Sequence, residues 1–146
     1  MPATFVVDAS VVVRWIIVED LYPQAVAVRN EFLGGRLSLA VPDLLPYEVL
    51  NALRYARTTS PPDLPAAARF LRQAGLVQHR LQDTVEETLE LAADRDLTIY
   101  DAAYAGLAKH LGQTLLTADD KLIRALGPSV PTMHLRNFRT GETASI

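Results

Sequence analysis

With 146 residues, 49% of them hydrophobic and 21% charged, the chain suits one compact domain with a real core and carries too little charge for intrinsic disorder. The absence of cysteine removes disulfide frameworks and thiolate metal centres, and a net charge of −3 gives no broad basic footprint for nucleic acid, so any such role must rest on a local site. No stretch reaches the ~20 apolar residues of a membrane span, and no Lys or Arg precedes the apolar start, which Asp8 interrupts; a cytoplasmic protein without membrane association is the expectation.

Residues 4–7 (TFVV) are β-rich and apolar on both faces, the pattern of a short buried strand. Ser10 then stands as the N-cap of a helix VVVRWIIVE, whose β-branched residues make it a helix by context more than by propensity. Residues 24–33 read as an amphipathic helix with Val28, Phe32 and Leu33 on one side, stopped by Gly34 and Gly35. Leu37 to Val41 is a second strand. Pro42 and Pro46 bracket the start of a helix in DLLPYEVLNALRYART, with Val49, Leu50, Leu53 and Ala56 at helical spacing.

SPPDLP (60–65) is a loop, and an amphipathic helix follows at 66–74. VQHRL (77–81) alternates as a short strand would, and 83–95 is a helix with Val85, Leu89 and Ala92 on one face. A helix at 102–111 ends at Gly112, QTLLT (113–117) is a strand, Asp120 to Leu126 is a short helix, and Met133 to Leu135 is a last strand. Strands alternating with helices predict an α/β fold with a central parallel sheet in a single domain, residues 1–136, with a polar, fraying tail at 137–146.

Asp8 follows the first strand and lies between two apolar runs. A buried carboxylate is costly unless it is paired, hydrogen-bonded or bound to metal. Because Ser10 already supplies a cap, capping is a poor account of Asp8. Asp119, in LLTADDKL, also ends a strand and precedes a helix. In open α/β sheets ligands collect beyond the carboxyl ends of the strands, so neighbouring strands would aim both carboxylates into one crevice. Glu48 lies in the first turn of its helix and Asp101, in IYDAAYAGLA, begins another. Singly, Asp101 and Asp119 are explicable as caps and Glu48 by the helix dipole; four acids at corresponding ends of their elements are less easily explained that way.

Four carboxylates in one crevice repel unless cations neutralise them, and hard cations such as Mg²⁺ and Mn²⁺ prefer carboxylate and water oxygens. The chemistry that follows is metal-assisted phosphodiester hydrolysis, in which the metal supplies the positive field that the net charge lacks. His79, His110 and His134 are scattered without metal-ligand spacing. Trp15 and the five tyrosines read as core or partly buried residues rather than base-stacking platforms, and Arg14, Arg54 and Arg57 as solvated surface arginines rather than phosphate contacts.

VVDASVVVRW, PYEVLNAL, IYDAAYAGLA and LLTADDKL, in this order, resemble PIN domains, in particular VapC-type toxins of toxin–antitoxin pairs, over about residues 5–135. The resemblance implies a parallel sheet flanked by helices and a Mg²⁺- or Mn²⁺-dependent endoribonuclease. It carries the catalytic and metal site onto Asp8, Glu48, Asp101 and Asp119. Ser10 and Thr117 fall where the family often places hydroxyls that hold the carboxylates or a metal-bound water. Asp120 reads as exposed at a helix start. The family also implies a homodimer, an RNA substrate and a VapB-type antitoxin lying beside the active site, for which helices 24–33 and 66–74 offer surfaces. A haloacid-dehalogenase-like phosphatase would need a second Asp where Ser10 stands, and a response-regulator receiver needs an acidic pair that is missing. The remaining alternative is a PIN-fold module that engages antitoxin or RNA without cleavage.

Overall fold

The computed structural model describes residues 2–141. Strand β1 (Ala3–Val7) leads into a short helix α1 (Ala9–Val13), then α2 (Tyr22–Leu33), β2 (Leu37–Pro42) and α3 (Leu45–Arg54). Helix α4 (Leu64–Gln73), β3 (Val77–His79), α5 (Leu81–Arg95) and α6 (Ile99–Leu111) follow. β4 (Thr114–Thr117), α7 (Asp120–Leu126) and β5 (Thr132–His134) close the chain. The strands form one parallel sheet in the order β3-β2-β1-β4-β5, as the alternation of strands and helices predicts. Helices on both faces leave little polar surface on the central strands: Val6, Val7, Leu39, Val41, Leu115 and Leu116 are fully buried.

The order of the strands matters more than their number. From β1 the chain winds outward through β2 to β3, then returns to place β4 on the other side of β1. The crevice where successive connections diverge, beyond the carboxyl ends of β1 and β4, is where such sheets bind ligands. Val7 is level with Leu116 across that junction, so the residues that follow each strand emerge side by side.

Several local expectations change. The helix anticipated for residues 11–19 stops at Val13. Arg14, Trp15 and Ile16 bond instead to the carbonyls three residues back, the tighter turn in which a run of β-branched side chains ends easily. That turn swings Trp15 onto Phe32 (ring centroids 5.9 Å, stacked) and Phe70 (6.1 Å, edge-on), so Trp15 is a core residue as expected. Leu33 is not on the buried side of α2; it is largely exposed.

Helix α5 buries Thr84, Thr88 and Leu91, not the apolar set Val85, Leu89 and Ala92 that its spacing suggests, and Leu89 is 54% exposed. The reason lies on α6, where Gly106 faces Thr88 so closely that a Cβ there would stand 2.5 Å from Thr88 Oγ1 and 2.9 Å from its Cα. Two helices this close admit only small residues at the contact, and hydropathy does not report that. Finally, Phe138 is buried and packs edge-on against Phe5, so packing continues beyond the proposed boundary at 136/137. Residues 142–146 of the expected tail lie outside the described residues.

Candidate active site

Asp8 is the residue that β1 delivers to the crevice. It is 6% exposed, and it rather than Ser10 is the N-cap of α1, accepting from the Ser10 backbone N–H at 2.8 Å on Oδ1. That corrects the expected cap and supplies part of the structural account the sequence denied to Asp8. The rest of its environment exceeds capping. Ser10 Oγ also donates to Oδ1, and Thr117 Oγ1, fully buried at the end of β4, donates to Oδ2 at 2.5 Å. Both hydroxyls are in turn fixed by the backbone of the next connection: Ser10 Oγ accepts from Ala118 N–H and Thr117 Oγ1 from Asp119 N–H, each at 3.0 Å. β1 and β4 are thereby tied together through one carboxylate.

Asp119 is the N-cap of α7, its Oδ1 accepting from the Lys121 and Leu122 N–H groups at 2.9 and 3.2 Å. Asp101 is not a cap. Thr98 caps α6 and accepts from Asp101 N–H at 3.1 Å, which leaves Asp101 on the first turn, half-buried and near enough to Asp119 to feel its charge. Glu48, on the first turn of α3, accepts at 2.6 Å from the hydroxyl of Tyr104. Tyr104 is buried, within the expectation of a core or partly buried tyrosine, but its hydroxyl has a role that expectation did not include. Its signal was its place three residues after Asp101, one turn along the same helix face.

The acids feel one another. Burial pushes the Asp8 carboxyl up to about 6, its three hydrogen bonds pull it back, and the charge of Asp119 adds to the rise. Burial and the Asp119 charge raise Asp101. Burial, then Asp101, raises Glu48 against the pull of Tyr104. Tyr104 itself is held far above its usual range by burial and by Glu48, with Asp8 and Asp101 adding to the effect. The structure thus brings Asp8, Asp119, Asp101 and Glu48 to one end of the sheet as a connected series, with Ser10 and Thr117 supporting the first of them.

Asp120 faces elsewhere. Arg136 clasps it through both carboxylate oxygens at 2.8 and 2.9 Å and holds its carboxyl below the usual range. Arg14 is also committed, donating to the carbonyls of Ser10 and Asp20.

The donor chemistry suits a hard divalent cation: four carboxylates and two hydroxyls, with no sulfur or imidazole among them. Among the described residues, however, no group of three or more acidic or histidine side chains stands close enough together to hold a metal ion. Asp119→Asn separates a structural from an ionic role. Asparagine caps nearly as well, so in chelator the variant is expected to melt no lower than the native protein, and higher to the extent that repulsion is relieved. In Mn²⁺ the native protein should gain stability with occupancy and the variant much less. Equal Mn²⁺ shifts in thermal melts would remove Asp119 from the site.

Three kinds of likeness bear on this crevice. The family model described as PIN domain matches residues 5–127. The chain is similar to exonuclease VapC9 of Pyrobaculum aerophilum, 35% identical over 84% of this chain and 86% of that protein. It is similar to ribonuclease VapC3 of the same organism, 31% identical over 80% of this chain and 90% of that protein. In fold it is similar to a member of the VapBC family of toxin–antitoxin systems, VapBC-5 of Mycobacterium tuberculosis. That likeness has a TM-score of 0.55 at 20% identity and covers 91% of this chain and 98% of that one.

Proposed function

The chain belongs to the PIN domain family, and on that premise we propose that it is a VapC-type nuclease: a Mg²⁺- or Mn²⁺-dependent endoribonuclease, the toxin of a toxin–antitoxin pair. The nuclease domain is the parallel-sheet unit expected at residues 1–136 together with Phe138, which packs on Phe5 beyond that boundary, and Asp8, Glu48, Asp101 and Asp119 form its catalytic and metal-binding set. One observation carries this reading. Asp8 is a buried carboxylate whose oxygens are oriented by the hydroxyls of Ser10 on α1 and Thr117 at the end of β4, and it is near enough to Asp119 to feel its charge, as Asp101 is to Asp119 and Glu48 to Asp101.

Bound Mg²⁺ or Mn²⁺ would supply Lewis acidity toward a phosphodiester and a water made nucleophilic at neutral pH. The chain's own part is positioning. Ser10 and Thr117 keep Asp8 ionisable despite its burial, and Tyr104 keeps Glu48 turned into the crevice. Asp101 and Asp119 are held by the helix starts on which they sit. The partners of this reading are RNA, a second copy of the chain and an antitoxin segment beside the crevice, with the surfaces of α2 and α4 available to them. No helix among the described residues is long and apolar enough to cross a membrane, and the working compartment in this proposal is the cytoplasm.

The test is a cleavage assay on linear and circular single-stranded RNA in Mn²⁺, with a chelator control. Cleavage of both forms, abolished by chelator, is the expected result. Cleavage of the linear form alone would make the enzyme an exonuclease. Binding of both without cleavage would favour the second reading, a PIN-fold module that engages antitoxin or RNA without cutting. The open spacing of the acids is the observation on that side.

A further inference from the structure

Two tyrosines next to the crevice are not core residues. Tyr47 is 79% exposed and Tyr100 is 63% exposed, although each immediately precedes a crevice acid, Glu48 or Asp101. With Glu48 and Asn51 they line one open cavity of about 410 Å³. Tyr47 and Asn51 are one turn apart on α3, and Tyr100 is one turn before Tyr104, whose hydroxyl holds Glu48. The Tyr104–Glu48 hydrogen bond that links α6 to α3 therefore also brings the Tyr47 and Tyr100 positions to one cavity. Among the described residues neither ring stacks on another aromatic side chain.

The lining of this cavity discriminates between the parts of a nucleotide. It contains a carboxylate and no cation, so a phosphate would be repelled there, while a flat neutral base would meet two aromatic rings and one amide. Stacking on exposed aromatics with base-edge hydrogen bonding is how single-stranded RNA is held when its bases are splayed out. An asparagine amide, with both donors and an acceptor, suits such an edge. We propose that Tyr47 and Tyr100 form a base-stacking subsite that anchors an unpaired RNA nucleotide beside the carboxylate crevice, with Asn51 reading its edge. This rests on the nuclease reading for its substrate and gives that reading a grip on RNA despite the net negative charge.

The experiment measures binding separately from cutting. Fluorescence anisotropy of a labelled single-stranded oligoribonucleotide in Ca²⁺ gives Kd for the full chain, and the same oligonucleotide in Mn²⁺ reports cleavage. Tyr47→Leu and Tyr100→Leu are each expected to weaken binding by about tenfold, the scale of one lost stack. Tyr47→Phe and Tyr100→Phe keep a ring and should stay within about twofold of the native protein. In a series of oligonucleotides with one abasic position, one position should cost the native protein the same factor and cost the leucine variants nothing more, the coupling expected of two groups in contact. Unchanged Kd in both leucine variants, or losses coupled to no abasic position, would overturn the subsite while leaving the nuclease reading intact. Binding with this pattern but without cleavage would sink the nuclease reading and keep the subsite. If the leucine substitutions dissociate a dimer in size-exclusion chromatography and leave RNA affinity unchanged, the rings belong to a protein interface and the proposal falls.

Discussion

Asp8→Asn is expected to lower RNA cleavage by about a thousandfold, the scale on which losing one group aimed at the reacting charge acts, while the protein remains folded. The amide keeps the shape of the carboxylate and a carbonyl for the Ser10 N–H, but it removes the negative charge. The same substitution should change how stability depends on pH. The Asp8 carboxyl stands at about 6 in the folded chain against 3.8 for its ordinary value. Between those values the folded state holds a proton that the unfolded state has released. Stability of the metal-free protein therefore falls as pH rises from about 4 to about 6, by on the order of 3 kcal/mol from this group. Glu48 and Asp101, also raised, act in the same direction. His134, lowered by burial and by Arg136, acts in the opposite one. Comparing the variant with the native protein cancels the histidine. Thermal melts in chelator across this window should show a falling limb in the native protein that Asp8→Asn reduces. Parallel profiles, or full cleavage by a folded Asp8→Asn protein, would remove Asp8 from the role assigned to it.

Gly106→Val is expected to be the most damaging single change to the fold. Helix propensity alone predicts the opposite, since glycine inside a helix costs roughly 0.5–1 kcal/mol relative to alanine. Gly106 is inside α6, and there the new Cβ would meet Thr88 Oγ1 at 2.5 Å and the Thr88 backbone N and Cα at 2.9 Å. A side chain can rotate away; a backbone in a packed helix cannot. Alanine should therefore destabilise by about 1–3 kcal/mol, the cost of overpacking a filled contact, and valine by more. Thr88→Ala should rescue Gly106→Ala only partly, because the backbone contact survives it. Chemical denaturation of the three variants checks this, and a Gly106→Ala protein more stable than the native one would show that the two helices separate freely. Activity should fall with stability, since α6 carries Asp101 and Tyr104.

The parallel α/β fold and the acids at strand and helix ends were legible because they depend on local order. A strand that ends in Asp before a helix places that side chain beyond the sheet whatever the rest of the chain does. Features set by distance between elements were not legible. The apolar spacing of α5 names Val85 and Leu89, but the close approach to Gly106 selects Thr84 and Thr88. Tyr47 and Tyr100 are large aromatics, for which a core or partly buried place is the expectation, and only their position on the assembled fold shows that their rings are left in solvent. The cap of α1 was misassigned because Asp8 and Ser10 are both good caps, and their order was settled by the hydroxyl of Ser10 turning toward Asp8 and the Ala118 N–H.

The hydrogen bonds of Asp8 also limit its denticity. An ionised carboxylate offers about four lone pairs, two on each oxygen. The hydroxyl and backbone N–H of Ser10 take both on Oδ1, and Thr117 takes one on Oδ2. A single lone pair on Oδ2 is left. With these hydrogen bonds kept, an electron-pair acceptor brought to Asp8 would find only that one oxygen free. Any chelating grip has to come from the acids whose oxygens are less committed.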